Sequence, residues 1–177
     1  MITMGKPMGN GIPISGLAAK EDVLAAFSDK LPYFNTFGGN PVSIAAAQAV
    51  LKYIKDENLQ EHCKKAGAAL LKALKEVQER HPESVGDVRG AGLFLGFEFV
   101  KNDGNKTPDK DMALNVIEML RDEHILTSVI GHYGNILKLR PPMVFSENDI
   151  DWFATSLDKC ITTVSYTHLR AHETKAN

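Results

Sequence analysis

The sequence predicts an α/β fold, in which helices and strands alternate along the chain. Several segments carry apolar residues at helical spacing, and near residue 85 the pattern changes to the period of strands, with glycine turns and aromatic residues. The 177 residues suffice for a hydrophobic core, and no apolar run is long enough to span a membrane.

Composition argues against several classes of partner. A net charge of -2 indicates neither nucleic acid nor an acidic membrane surface. Cys63 and Cys160 are far apart and form no CxxC pair, which favours a reducing compartment over a disulfide scaffold. We therefore expect a soluble, cytoplasmic protein.

Near the start of the chain a lysine lies in a loop rich in glycine and proline. Lys6 follows a short apolar segment and lies within Met4-Gly5-Lys6-Pro7-Met8-Gly9-Asn10-Gly11. A lysine at a strand end with little bulk around it can reach a cofactor aldehyde and lose its proton easily. Position alone favours an ordinary solvated lysine, so the interpretation depends on the rest of the chain.

The next part of the chain predicts one strand and three helices. Residues 12–19 form a short apolar run, which is typical of a buried strand. A helix is predicted over residues 20–28. The Asn40-Pro41 pair supplies an N-cap and a first-turn proline for an alanine-rich helix. An amphipathic helix is predicted over residues 59–80, and a proline two positions later ends it.

The remaining part predicts four strands and two helices around a small sheet. A capping box in its Asp form, Ser146-Glu147-Asn148-Asp149, opens the last helix. The predicted ranges are 85–92 and 93–100 for two strands joined by a glycine turn, 111–123 for a helix, 125–130 and 136–139 for two short strands, and 146–161 for the last helix.

Two segments, the Lys6 loop and Tyr33-Phe34-Asn35-Thr36-Phe37-Gly38-Gly39-Asn40-Pro41, resemble the class III aminotransferases. The resemblance implies the C-terminal part of a pyridoxal-phosphate-dependent transferase of fold type I, with the end of its large domain and its small α/β domain. It implies that Lys6 binds pyridoxal 5'-phosphate as a Schiff base and acts as general base and acid. It also implies that Thr36 donates a hydrogen bond to the cofactor phosphate, usually across a dimer interface.

A third segment, Leu137-Lys138-Leu139-Arg140-Pro141-Pro142, departs from the family pattern. Family members commonly carry an arginine three positions before the two prolines, where it binds the substrate carboxylate or a glutamate. Lys138 stands there instead, and it offers a point charge where arginine offers a bidentate fork. We expect Lys138 and Arg140 to bind substrate, although Arg140 has the alternative of pairing with an acidic side chain at the surface.

Three interpretations of the function remain open. The resemblance implies an aminotransferase that moves an amino group between an amine or amino acid and an oxo acid, as a homodimer in its full-length form. Lys138 and the spelling around Lys6 resemble the phospho-lyase branch, which acts on phosphoethanolamine or phosphohydroxylysine. The third interpretation is that this chain alone is inert, because the family's ring-binding aspartate, stacking aromatic residue and glycine-rich phosphate loop lie upstream.

The resemblance also implies a domain organisation. Residues 1–39 are expected to be the remnant of the large domain, and residues 40–163 the interdomain helix and the small domain. Residues 164–177 resemble a translated sequencing adapter and are expected to be a non-native tail. His168 and His172 in that tail have the spacing of zinc ligands on a helix, but no metal is expected there. The remaining histidines are expected at the surface: His62, His81, His124 and His132.

Overall fold

The computed structural model describes the backbone of residues 1–173 and the side chains of residues 1–166. The chain divides into two compact units, with the boundary after Leu59. The alanine-rich helix therefore belongs to the first unit. The expected boundary at 39/40 concerns the domains of a longer protein and stays a prediction.

The first unit contains a two-stranded antiparallel sheet, a 3₁₀ helix and two α-helices. Its elements are β1 (Ile2–Met4), the 3₁₀ helix (Lys6–Gly9), β2 (Gly16–Ala18), α1 (Glu21–Ser28) and α2 (Pro41–Asp56). The 3₁₀ helix packs against α2. Both predicted helices are present, and α2 begins as predicted because the Asn40 side chain accepts a hydrogen bond from the amide of Ser43 at 2.9 Å.

The strand predicted over residues 12–19 is shorter than expected. The amide of Ile12 donates to the carbonyl of Gly9 at 3.2 Å, so the chain is still turning at this point. Only Gly16–Ala18 pairs with β1. Apolar composition predicted the whole run, but a strand needs a partner along its length, and β1 has only three residues.

The second unit is an antiparallel sheet with three helices. Its elements are α3 (Leu59–Arg80), β3 (Val85–Ala91), β4 (Phe94–Phe99), α4 (Lys110–Asp122), β5 (Ser128–Ile130), β6 (Ile136–Leu139) and α5 (Glu147–Glu173). The strand order is β3-β4-β6-β5, and every neighbouring pair is antiparallel. The predicted α/β class is confirmed.

One face of this sheet forms the core. Phe97 of β4 and Leu137 of β6 are register partners and fully buried. They join apolar side chains from all three helices of the unit, such as Leu74 of α3, Val116 of α4 and Leu157 of α5. Because side chains alternate along strands, the residues between these positions point to the other face.

Two elements differ in length from their predictions. Only Ser128–Ile130 of the predicted strand 125–130 pairs with β6, and Leu126 is 87% exposed. The last helix continues beyond 161 because residues 147–173 contain no glycine or proline to end it. Val164, the first residue of the expected non-native tail, is buried in the core, while the origin of that tail stays a prediction. In the part of the chain searched, no helix has the length and apolar character that crossing a membrane requires.

Candidate active site

Lys6 opens the 3₁₀ helix in an unusual backbone conformation. Its φ is 52°, in the left-handed region that a side chain other than glycine rarely adopts. The turn is closed by the amide of Met8, which donates to the carbonyl of Gly5 at 3.2 Å. The lysine is exposed, and its Nζ makes no hydrogen bond or ion pair with any residue whose side chain is described. The amine is therefore free to meet a ligand.

Thr36 lies in a loop that its neighbours hold in shape. The Asn35 side-chain oxygen accepts hydrogen bonds from the amides of Phe37 (3.2 Å) and Gly38 (3.0 Å). Gly39 has a φ of +72°, and the Asn40 side chain donates to the carbonyl of Phe37 at 3.0 Å. The loop thus leads directly into the N-terminus of α2, where free amides and the helix dipole favour an anion. Thr36 itself is exposed.

Lys6 and Thr36 both belong to the first unit, and among the described side chains no hydrogen bond joins them. A cleft of about 570 Å³ in this unit is lined by close neighbours of each, Met4 on one side and Asn35 on the other. Neither Lys6 nor Thr36 lines it. Their predicted roles therefore stay predictions.

Lys138 and Arg140 share one face of the sheet in the second unit. Leu137 and Leu139 are buried in the core, so the alternation of β6 directs Lys138 to the opposite face, and Arg140, the first residue after the strand, continues the alternation. In the ladder Lys138 lies between Gly96 of β4 and a residue of β5. The two predicted substrate-binding residues are thus brought together at the C-terminal end of β6.

Arg140 has an aromatic partner. Its guanidinium carbon lies 5.5 Å from the centroid of the Phe94 ring, a cation–π contact. No ion pair of Arg140 is found among the described side chains. The aromatic face orients the guanidinium without neutralising it, so its hydrogen-bond donors remain available to an anion.

Both cations line a cavity of about 540 Å³. Its walls include Phe145 and the half-exposed Trp152, the only tryptophan of the chain. Asp149 also lines it, and hydrogen bonds from Ser146 hold the pKa of its carboxyl below the usual range. An apolar cavity with a few converging polar groups is typical of a small-molecule site.

An ion-pair network on the same sheet face was not predicted. Arg89 donates to Glu98 at 2.6 Å and to Asp87 at 2.7 Å, and these hydrogen bonds raise the pKa of the Arg89 guanidinium. Glu98 also accepts from the buried Asn135 at 3.4 Å. The two-residue spacing of Asp87 and Arg89 is the signal that could have indicated a shared face. Arg89 is saturated by carboxylates, in contrast to Lys138 and Arg140.

The surface prediction is wrong for His81. This side chain is buried, and its Nε2 lies 2.7 Å from Oδ1 of Asp158, which also accepts from Arg80 at 3.1 Å. Burial acts to raise the pKa of Asp158, but the hydrogen bonds and charges of Arg80 and His81 outweigh it and hold that pKa below the usual range. The contact depends on α3 ending beside α5, which periodicity does not reveal.

The other histidines divide into two cases. His62 is half-buried, and its Nε2 lies 3.0 Å from the carbonyl oxygen of Phe145, so its surface prediction is also wrong. His124 and His132 are exposed, as predicted.

The described side chains form no cluster of three His, Cys, Asp or Glu residues that could hold a metal ion. His168 and His172 lie outside the residues whose side chains are described. Cys63 and Cys160 are both free, and burial raises the pKa of the Cys160 thiol, which disfavours the reactive thiolate.

Comparison with known families identifies the chain. The model of a family described as aminotransferase class-III matches residues 1–161. The chain belongs to the class III aminotransferase family. The resemblance carried by the Lys6 and Thr36 segments is thereby confirmed.

Two curated relatives show which members of the family this chain is similar to. The chain is 44% identical over 166 residues to ethanolamine-phosphate phospho-lyase homolog 1 of Caenorhabditis elegans, which covers 93% of the chain and 35% of the relative. It is 39% identical over 166 residues to an alanine–glyoxylate aminotransferase 2-like protein of Drosophila melanogaster, covering 93% of the chain and 33% of the relative. The chain spans about a third of the length of the curated relatives it matches.

Solved structures agree on the fold. An Arthrobacter phospholyase in complex with phosphoethanolamine superposes with a TM-score of 0.86 at 39% identity, covering 90% of this chain and 38% of that one. A transaminase from the marine bacterium Virgibacillus gives a TM-score of 0.84 at 28% identity, covering 93% and 39%. The predicted C-terminal α/β portion of this fold is confirmed.

Class III aminotransferases are pyridoxal-phosphate enzymes, so this cofactor is expected. The donors of the first unit fit it chemically. Lys6 supplies an unengaged primary amine, and Thr36 an exposed hydroxyl in the loop that precedes α2. An amine suits the cofactor aldehyde, and a neutral donor near a helix N-terminus suits its phosphate.

Proposed function

We propose that the protein containing this chain is a pyridoxal-phosphate-dependent phospho-lyase that acts on a small phosphorylated amine. The observation that carries the proposal is the pair of cations without an ion-pair partner among the described side chains, Lys138 of β6 and Arg140 just after it, which line the same largely apolar cavity. A phosphate dianion accepts hydrogen bonds from a point charge and a guanidinium together. The relatives named for ethanolamine phosphate and phosphoethanolamine support this choice.

The chain's own residues divide the chemistry between them. Pyridoxal phosphate, when bound, supplies an aldehyde that reacts with amines and a conjugated ring that accepts electron density. The Nζ of Lys6, as a free amine, takes the proton from the substrate carbon next to nitrogen. Lys138 and Arg140 hold the substrate phosphate and stabilise the charge that collects on it as the carbon–oxygen bond breaks. The Thr36 hydroxyl donates to the cofactor phosphate.

Amino transfer to an oxo acid is the second candidate. The free guanidinium of Arg140 favours it, because it can bind a planar carboxylate with two parallel hydrogen bonds. The alanine–glyoxylate aminotransferase 2-like relative supports it as well. For either reaction we infer a homodimer, as the resemblance to the family implies. We also infer a reducing compartment such as the cytoplasm, which suits two free thiols.

Two products separate the candidates. The full-length protein, loaded with cofactor, is incubated with phosphoethanolamine, and free phosphate is measured alongside amino transfer to an oxo acid. Phosphate release without transfer is expected, and transfer without phosphate release would reject the proposal. Lys138→Ala should reduce phosphate release about a hundredfold, whereas Lys101→Ala, an exposed lysine in a loop, is the matched control.

The role of Lys6 is tested by covalent labelling. Borohydride reduction after incubation with pyridoxal phosphate should place the label on Lys6 in the full-length protein, and Lys6→Ala should abolish both label and turnover. We propose that the 177-residue chain alone takes up label weakly and without preference among its lysines. Selective labelling of Lys6 in this short chain would overturn that expectation.

A further inference from the structure

The segment that joins β6 to α5, residues 140–146, carries Arg140 and lines the cavity, yet its own backbone supplies few hydrogen bonds. Pro141 and Pro142 have no N–H group to donate. Within the segment, the amide of Phe145 donates to the carbonyl of Pro142 at 3.0 Å. At its far end the amide of Ser146 donates to the Asp149 carboxylate at 2.8 Å. Its shape therefore depends on contacts from another element.

Helix α3 supplies those contacts from two successive residues. The His62 Nε2 lies 3.0 Å from the carbonyl oxygen of Phe145, and the Cys63 sulfur lies 3.7 Å from the carbonyl oxygen of Met143. A carbonyl oxygen only accepts, so the Nε2 of His62 carries the proton and donates it. A thiol is a weak donor, so the imidazole makes the stronger of the two contacts.

The rest of the segment shows why this bond matters. Val144 is 62% exposed and Met143 is 37% exposed, whereas Phe145 packs against the core. Phe145 is therefore the main attachment of the segment to the core, beside the weaker contact between Cys63 and the Met143 carbonyl. Its side chain is held by apolar packing and its carbonyl by His62.

We propose that His62 is a positioning residue for the anion site. By donating from Nε2 to the carbonyl of Phe145, it holds residues 140–146 against α3 and keeps Arg140 at the cavity wall beside Lys138. The inference deepens the proposed function and rests on it in one respect, namely that Lys138 and Arg140 bind the anionic group of the substrate.

Three variants of the 177-residue chain test the proposal. His62→Gln keeps an N–H donor at similar reach, and His62→Leu keeps the bulk but removes the donor. His132→Leu is the control, because His132 lies in the β5–β6 turn, at the end of β6 away from Arg140. Amide hydrogen exchange reports on residues 143–146, and Trp152 fluorescence reports on titration of the cavity with phosphoethanolamine or inorganic phosphate.

The expected pattern separates positioning from general stability. His62→Leu should accelerate exchange of the Phe145 and Ser146 amides about tenfold and weaken phosphoethanolamine binding fivefold to tenfold, roughly the effect of one hydrogen bond. His62→Gln should restore both values, and His132→Leu should match the unmodified chain. A melting temperature measured for each variant shows whether affinity changes independently of stability.

Other outcomes decide against the proposal. Unchanged exchange and affinity in His62→Leu would overturn it, as would equal losses in the Gln and Leu variants. A fall in melting temperature without loss of affinity would show that His62 is merely structural. If Trp152 in the unmodified chain responds to neither phosphate probe, the 177-residue chain by itself does not bind the anion. The exchange data alone then decide whether His62 holds the segment, and the proposed function is decided separately by phosphate release from the full-length protein.

Discussion

At the scale of single residues, Gly67 of α3 makes a very close backbone approach within the second unit. A methyl group on Gly67 would lie 2.2 Å from the carbonyl oxygen of Gly92, in the turn between β3 and β4. Backbone atoms of a packed turn cannot move aside as a flexible side chain can. The absence of a side chain at position 67 therefore lets the helix lie directly on that turn.

Gly67→Ala should lower the free energy of unfolding by about 2 kcal/mol, the usual cost of overpacking. In an ordinary helix the same change stabilises by up to about 1 kcal/mol, so the sign is diagnostic. Urea unfolding followed by Trp152 fluorescence measures it. Ala68→Gly, on the exposed side of α3, is the control and should cost about 1 kcal/mol. A stabilised Gly67→Ala variant would contradict the close approach.

The His81–Asp158–Arg80 contact makes a prediction about pH. Because the pKa of Asp158 is lowered in the folded chain, its stabilisation is present above the unfolded value of 3.8 and is lost as the pH falls through the folded pKa. Asp158→Asn should therefore cost about 1 kcal/mol at neutral pH and little in strong acid. The free energy of unfolding is measured from neutral pH to strong acid for the unmodified chain and for Asp158→Asn. The two free energies should converge as the pH falls.

Asp122→Asn provides the matched control. Asp122 pairs with its neighbour Arg121, and both side chains are well exposed. Its removal should change stability by no more than about 0.5 kcal/mol at any pH. A cost for Asp158→Asn that persists unchanged in acid would show that the charge of Asp158 is not the cause.

At the scale of elements, the helix starts follow local side-chain chemistry. Asn40 caps α2, Ser146 and Asp149 form the reciprocal cap of α5, and the Asp109 side chain accepts from the amide of Met112 at 2.9 Å to cap α4. Each cap satisfies an amide that has no partner inside its helix. These contacts span three residues, so the sequence could predict them.

Asp109→Ala should lower the free energy of unfolding by about 1 kcal/mol through loss of the α4 cap. Asp109→Asn keeps an acceptor oxygen and should recover most of this loss. Asp111→Ala removes a charge in the same first turn without removing a cap and should cost less. Chemical denaturation of the three variants compares them, and equal losses for Asp109→Ala and Asp111→Ala would indicate a charge effect.

Strand lengths were harder to predict than helix starts. β2 and β5 are both shorter than their apolar segments, because strand length depends on how much of a partner strand lies alongside. The sequence predicted the alternation of β6, which places Leu137 and Leu139 in the core. The sequence could not predict the cavity beside the C-terminal end of β6, because the walls of that cavity come from four separate segments of the chain.

At the scale of the whole molecule, buried apolar side chains concentrate in the second unit. The core cluster draws on residues 66–164 and includes no side chain of the first unit. In the first unit, large apolar side chains such as Phe34 and Phe37 are more than 80% exposed. The first unit therefore buries little apolar surface, and only a small hydrophobic free energy offsets the entropy cost of ordering it.

Amide hydrogen exchange of the full chain should reflect this difference. Amides of β4 and β6 are expected to exchange on the order of a hundredfold more slowly than those of β1, β2 and α1, because opening the second unit exposes its whole core. Mass spectrometry of peptic peptides resolves the two sets. Equal protection in both would mean that the first unit is stabilised by interactions beyond its own contacts.

The sequence by itself determined the class, the family and the identity of the chemical groups: the lysine of the 3₁₀ helix, the Thr36 loop, the cations Lys138 and Arg140, and the caps of α2 and α5. These depend on neighbours within a few positions, which a linear pattern contains. Only the tertiary structure decided that His81 is buried against Asp158, that His62 holds Phe145 and that Gly67 meets Gly92. Those contacts join residues far apart in the chain, and their energies arise only when the helices pack on the sheet.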